Sequence, residues 1–127
     1  MDNGVRFARR VFLLAGIYGL VVLLPQYFLE EVISARSTAP ISHPENFYGF
    51  IGVALAWQVA FLVIAGDVLR LRPLMIPAFL EKLAFGGAVV VLFAFGRIDA
   101  AVLGFGVLDL LIGGFFVAAW VRTRAIA

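Results

Sequence analysis

Asp109 is an isolated acid in a long apolar stretch, and it is the residue with the clearest capacity for chemistry. The stretch covers residues 100–121, and Asp109 lies about nine residues into it. In a helix that crosses a bilayer, this position is near the midplane, where an exposed carboxylate costs roughly 2.5–3.5 kcal/mol. We therefore expect a buried, paired or protonated group. Two roles remain open: a hydrogen-bonding group that fixes helix register, and a proton-carrying or ligand-binding group.

Gln58 has a comparable position in a second apolar stretch, residues 47–68. The two stretches are expected to run in the same direction, so the pattern predicts a hydrogen bond between Gln58 and Asp109. Gln58 lies nine residues before Asp67 and so on the opposite helix face. Either the small residues of this helix pack inside and Gln58 faces a second protomer, or Gln58 points inward and the small residues contact that protomer. We name as the small-residue stripe the residues Gly49, Gly52, Ala56 and Ala60.

Two groups of charged residues flank the apolar stretches. The predicted cytoplasmic cluster can pair internally or bind an anionic headgroup or substrate, and it consists of Asp67, Arg70, Arg72, Glu81 and Lys82. The predicted outer cluster lies close to Glu30 and Glu31, and it consists of His43, Glu45, Arg97 and Asp99. Carboxylates and imidazole can bind protons or metal ions. With a single histidine in a turn-rich loop, we predict no metal site and no cofactor.

The elements that must position these residues are four apolar stretches of about 20 residues, the length of a membrane-spanning helix. They cover residues 11–29, 47–68, 79–95 and 100–121. The chain is 64% hydrophobic and 14% charged, with a mean hydropathy of +1.07. A soluble globule needs more polar surface than this composition provides. The sequence predicts an all-α, integral membrane four-helix bundle, formed as a single domain by residues 1–127.

Basic residues alternate between many and few around these stretches. Eight lie before the first stretch, between the second and third or after the fourth, if Lys82 near the start of the third is counted with them, and two lie in the other connections. The positive-inside rule then predicts that both ends of the chain are cytoplasmic. Because the basic residues are dispersed, we expect no nucleic-acid partner. Frequent Arg, Ala, Gly and Val, with no Cys, favour a bacterial inner membrane protein without disulfides.

Two segments carry a resemblance to known families. They are residues 43–50, at the start of the second stretch, and residues 72–77, a turn that leads to Glu81 and Lys82. In layout they are similar to small bacterial four-helix membrane families called DoxX-like or BphX-like. The resemblance covers the whole chain in architecture. It implies the four-span fold and carries over no active site.

Three classes of function fit these features. The first is a non-enzymatic membrane component that binds a lipid, a quinone or a partner membrane protein, and that forms a homo-oligomer or joins that partner. The second is a proton-coupled transporter that uses Asp109, similar in size to the small multidrug resistance proteins. Those proteins have their essential acid in the first helix, and residues 11–29 contain none.

The third class is an intramembrane, lipid-modifying isomerase resembling the emopamil-binding group. Its chemistry needs an acid and a base together within reach of the substrate. Asp109 has no second titratable group at its expected depth. The sequence therefore favours the first class, with a role that does not involve catalysis.

Overall fold

The computed structural model describes residues 2–37 and 39–126 as helices joined by turns. The helices are α1 (Asn3–Leu23), α2 (Glu30–Arg36), α3 (Pro44–Gly66), α4 (Met75–Ala94) and α5 (Ala100–Thr123). Two short 3-10 segments, Leu24–Phe28 and Arg72–Leu74, follow α1 and precede α4. No strand occurs in the described ranges, which confirms the predicted all-α fold.

Four of the segments in the described residues are long and apolar enough to cross a membrane. They are Asn3–Phe28, Pro44–Gly66, Arg72–Ala94 and Ala100–Thr123. Only 17% to 28% of the most apolar part of each segment is buried inside the protein. The rest is an outward apolar surface that lipid can cover. Length and composition thus suggest a multi-pass membrane protein.

Two helices begin at least four residues earlier than the sequence predicts. α1 begins at Asn3 instead of residue 11, because the Asp2 carboxylate caps it by accepting a hydrogen bond of 2.7 Å from the Gly4 N–H. α4 begins at Met75 instead of residue 79. Its Pro77 lies in the first turn, where backbone N–H groups have no acceptor within the helix. A proline there, which has no N–H, therefore removes no helical hydrogen bond.

The helices pack in the order α3, α1, α5, α4 around the bundle, and α3 contacts α4 only sparsely. We call the end where α1 and α4 begin the basic end, and the opposite end the α2 end. The buried core lies in the half toward the basic end. At its centre the Phe12 and Phe116 rings stack at 4.2 Å, and Phe61 meets Phe116 edge-on at 5.0 Å. All three rings are essentially inaccessible, so side chains fill the centre of the bundle at this level.

Candidate functional site

A buried ion-pair network lies just beyond the aromatic core, toward the α2 end. The Lys82 ammonium donates a hydrogen bond of 3.3 Å to Oδ1 of Asp109 and lies 3.6 Å from Oε2 of Glu81. The Lys82 side chain is 3% exposed, and the two carboxylate side chains are 14% and 18% exposed. Its nitrogen also lies 5.3 Å from the centre of the Phe61 ring, within cation–π range. We name Glu81, Lys82 and Asp109 the charged triad.

Glycines on α4 and α5 bring the triad together. A Cβ atom at Gly86 would lie 2.8 Å from the Gly106 carbonyl oxygen, so the two backbones are nearly in contact there. Lys82 lies one turn from Gly86, and Asp109 lies one turn from Gly106. One turn beyond Asp109, a Cβ at Gly113 would lie 3.3 Å from the Lys82 Cβ. Lys82 therefore packs closely against α5, beside Asp109 and Gly113.

Gln58 points inward from α3 and is 1% exposed. Its amide nitrogen donates a 2.9 Å hydrogen bond to the Ala54 carbonyl oxygen, so the predicted hydrogen bond to Asp109 is replaced by one within α3. Because only the amide nitrogen can donate to a carbonyl, this bond also fixes the orientation of the amide. The amide oxygen has no hydrogen-bond partner among the described residues. It lies against Gly19, where a side chain would overlap it.

A cavity of about 540 Å³ extends from the charged triad and Gln58 toward the α2 end. Its walls are mostly apolar and come from α1, α2, α3, α4 and α5. At the far end it is lined by Arg36, Ser37 and Asp99, of which Arg36 and Ser37 are exposed. The cavity therefore reaches the surface at the α2 end, while the aromatic core closes it on the other side.

The structure divides the predicted cytoplasmic cluster. Asp67 and Arg70 pair with each other at 2.8 Å on the exposed surface, and the Arg70 guanidinium holds the pKa of Asp67 below its ordinary value. Arg72 donates hydrogen bonds to the Thr123 hydroxyl at 3.0 Å and to the Trp120 carbonyl at 2.7 Å. The prediction that Glu81 and Lys82 belong with these residues is wrong. Because α4 begins four residues early, both lie well inside the helix, beside Asp109.

The residues of the predicted outer cluster lie at the starts of α3 and α5 and in the turn before α5. His43 and Glu45 lie 3.3 Å apart on the surface, with both side chains about 70% exposed. Asp99 instead caps α5 by accepting a hydrogen bond from the Val102 N–H at 3.0 Å. Arg97 lies in the turn between α4 and α5. Within residues 2–37 and 39–126, no group of three or more His, Asp or Glu side chains is arranged to hold a metal ion.

The chain matches no family model, no curated protein and no solved structure. The resemblance to DoxX-like and BphX-like families therefore stays a prediction. The site must be interpreted from its own geometry.

That geometry corrects one step of the sequence reasoning. Asp109 was expected to lack a titratable partner, whereas Lys82 and Glu81 both lie beside it. The sequence did contain a signal for this pairing. Gly86 follows Lys82 by one helical turn, and Gly106 precedes Asp109 by one turn. Small residues so placed allow close approach of two membrane helices. What could not be seen in the sequence was which pair of helices would use them.

Proposed function

We propose that this chain is a non-enzymatic membrane component that binds an amphiphilic small molecule of the bilayer, of lipid or quinone type, inside the cavity. The proposal rests on the cavity, whose walls are mostly apolar and whose inner end is polar. Its volume of about 540 Å³ lies within the range of about 300–1,000 Å³ of small-molecule sites. The tail of the ligand would lie along the apolar walls and its polar group near the charged triad and Gln58.

The proposal includes an orientation in a cell membrane, of a bacterial inner membrane type. Lys82 is inside the bundle, so seven basic residues remain at the basic end and two, Arg36 and Arg97, at the α2 end. The positive-inside rule then supports a cytoplasmic basic end. In that orientation the cavity opens toward the outer side of the membrane.

We also propose that the small-residue stripe contacts a second membrane helix, from another copy of the chain or from a partner. Because Gln58 is buried, the stripe must point elsewhere. Gly49 and Ala56 are exposed, and a Cβ atom built at Gly49 would meet nothing within 4 Å in the described residues. Such surfaces favour close approach of membrane helices.

Native mass spectrometry of the protein released from nanodiscs tests the binding proposal. We expect the protein to retain a small molecule, and Ala54→Phe to reduce its occupancy about tenfold, because the ring would fill space that Ala54 lines. The matched control is Ala88→Phe, since Ala88 is exposed on α4 and lies outside the cavity lining. Equal retention in both variants, or no retention of any added lipid or quinone by the parent, would contradict the proposal.

A second candidate is a proton-coupled transporter that uses Asp109. It is favoured by the position of the triad at the inner end of the cavity, beyond which the Phe12, Phe61 and Phe116 rings fill the bundle. A carrier that alternates between two openings has this shape in one of its states. In liposomes, a pH gradient would then drive uptake of the bound molecule, and Asp109→Asn would abolish it. Uptake that is the same with and without the gradient excludes this candidate.

A further inference from the structure

We propose that a groove between α1 and α5 binds an acyl chain of an anionic phospholipid, whose headgroup lies at Arg10 and Arg122. This site is separate from the proposed ligand cavity, and it requires only that the apolar helices cross a membrane. Three features carry the inference: the apolar walls of the groove, its length, and the two guanidinium groups at one of its ends. We name this site the α1–α5 groove.

The α1–α5 groove is an apolar depression of about 400 Å³ on the outward surface of the bundle. Leu14 and Phe115 are exposed on its walls, and Ala15, a small residue that is nearly buried, lies at its floor. Its other apolar lining residues are Phe7, Val11 and Ile112. Both helices belong to segments long and apolar enough to cross a membrane. In a bilayer, the groove therefore opens toward the lipid tails.

The length of the groove matches the depth of one bilayer leaflet. Phe7, Leu14 and Tyr18 lie on one face of α1, because whole numbers of helical turns separate them. At 1.5 Å per residue, the distance from Phe7 to Tyr18 is about 16 Å along the helix. Half of the hydrocarbon core of a bilayer is about 15 Å thick. The groove thus fits an acyl chain that lies along α1 in the leaflet at the basic end.

Two guanidinium groups lie where the groove reaches the basic end. Arg10 lines the groove, and the guanidinium carbon of Arg122 lies 4.2 Å from the centre of the Phe7 ring, which also lines it. Neither arginine forms an ion pair with a carboxylate in the part of the chain that the structure describes. The lining itself contains no Asp or Glu. Guanidinium groups bind phosphate oxygens through paired N–H donors, so a phospholipid headgroup fits this end of the groove.

The charge of the basic end favours a lipid with net negative charge. Two carboxylates lie there, and both are engaged, since Asp2 caps α1 and Asp67 pairs with Arg70. The basic residues at this end are Arg6, Arg9, Arg10, Arg70, Arg72, Arg122 and Arg124. Such an excess attracts anionic lipids more than zwitterionic ones. A second copy in the same orientation would cover the groove less favourably, because it would bring another basic end beside this one.

The first test compares two lipids in the same nanodisc: phosphatidylglycerol and phosphatidylcholine with identical acyl chains, at equal mole fractions. Native mass spectrometry counts each lipid that the released protein retains. We expect about tenfold enrichment of phosphatidylglycerol. Arg10→Gln and Arg122→Gln should each reduce this enrichment about fivefold, because each removes one cation at headgroup depth. The matched control is Arg9→Gln, since Arg9 is exposed at the same end of α1 but lies outside the groove lining. It should change the enrichment by less than about twofold.

The second test locates the acyl chain in the parent protein. Phosphatidylglycerol with a photoreactive diazirine in one acyl chain is irradiated in the nanodisc, and the cross-linked residues are identified by peptide mass spectrometry. We expect several times more adducts on Leu14 and Phe115 than on Val59 and Leu83, which are exposed apolar residues of α3 and α4 outside the groove. Ala54→Phe should leave this pattern and the lipid enrichment unchanged, because Ala54 lines the cavity and not the groove.

Several outcomes would overturn the inference. One is equal retention of the two lipids by the parent protein, and another is an equal effect of Arg9→Gln and Arg10→Gln, which would indicate diffuse attraction to the basic end. Equal numbers of adducts on Leu14 and Val59 would show that the groove holds no particular lipid. Absence of groove adducts in a dimeric protein would assign the groove to a second copy.

The tests also separate this inference from the proposed function. If Ala54→Phe removes the retained phosphatidylglycerol and Arg10→Gln does not, the lipid lies in the cavity, so the inference fails and the proposed function gains support. The other contrary outcomes leave binding in the cavity untouched. Because the cross-linking experiment uses the parent protein, it decides the question even if an arginine variant does not fold.

Discussion

Lys82 on α4 and Asp109 on α5 form an ion pair of 3.3 Å at the closed end of the cavity. The pair links the two helices that pack most extensively in the bundle. Both side chains are largely buried, so each charge has little contact with water. Removing one partner of such a pair leaves an uncompensated buried charge, whereas replacing both can be nearly neutral.

This asymmetry predicts the result of a double-mutant cycle. Lys82→Met leaves two carboxylates without their cation and should lower the free energy of unfolding by about 3–5 kcal/mol. Asp109→Leu should cost less, because Lys82 keeps Glu81 as a neighbour. The double variant should be more stable than Lys82→Met alone. The measurement is reversible unfolding in bicelles, with α-helix content as the signal.

The cycle has a clear contrary outcome. The changes in unfolding free energy of the two single variants could add up to the change in the double variant. In that case Lys82 and Asp109 are not coupled and the ion pair does not stabilise the fold. Asp67→Leu provides a control, because that carboxylate is exposed and pairs with Arg70 at the surface. Exposed pairs contribute little to stability.

A pair of neighbouring glycines on α4 tests the close helix approach. Gly86→Ala places a methyl group about 2.8 Å from the Gly106 carbonyl oxygen, so α4 and α5 must separate. We expect a loss of about 1–3 kcal/mol in unfolding free energy. At Gly87 a Cβ meets no described atom within 4 Å, so Gly87→Ala should be neutral or stabilising by up to about 1 kcal/mol through helix propensity. Equal effects of the two changes would show that the helices are not in close contact.

The sequence was sufficient for the number and type of the four long apolar helices, but not for the short helix α2. Each candidate membrane span is an apolar run of about the length needed to cross a bilayer, and the composition provides too little polar surface for a soluble globule. The helix starts were predicted less well, because capping by Asp2 and tolerance of Pro77 in the first turn depend on local geometry that hydropathy does not register. That error of four residues at α4 placed Lys82 at the membrane surface instead of in the interior.

The candidate site was predicted only in part. Asp109 and Gln58 were recognised because polar groups are rare in membrane helices, and both line the cavity. Their mutual hydrogen bond was not formed, since an amide can bond to the carbonyl one turn earlier in its own helix, as Gln58 does with Ala54. The cavity could not be predicted, because it arises from the sparse contact between α3 and α4. Such a gap is a property of packing and leaves no pattern along the chain.

The surface pair of Asp67 and Arg70 should be visible in a titration. The Arg70 side chain donates a 2.8 Å hydrogen bond to Asp67, which lowers the pKa of that carboxyl. A depressed pKa in the folded state contributes stability at pH values above the unfolded-state pKa, and the contribution is lost as the pH falls through the folded-state pKa. Arg70→Gln should therefore raise the Asp67 pKa toward its ordinary value.

Carbon-detected NMR of the labelled Asp67 carboxyl measures this shift. The rise should be incomplete, because the backbone N–H of residue 70 also contacts the carboxylate, at 3.4 Å. Arg36→Gln is the control, since it removes a guanidinium at the α2 end and should leave the Asp67 titration unchanged. A titration curve of Asp67 that is identical in Arg70→Gln and the parent would contradict the assigned pair.

The proposed orientation can be tested without removing any native thiol, because the sequence contains no cysteine. Ser42→Cys places a thiol on the exposed connection before α3, and Arg124→Cys places one just after α5, at the basic end. With a cytoplasmic basic end, a membrane-impermeant maleimide added to intact cells should label Ser42→Cys, and should label Arg124→Cys only after permeabilisation. The opposite pattern would reverse the orientation and direct the cavity toward the cytoplasm. Labelling of both thiols in intact cells would indicate dual insertion, which a bias of seven basic residues against two argues against.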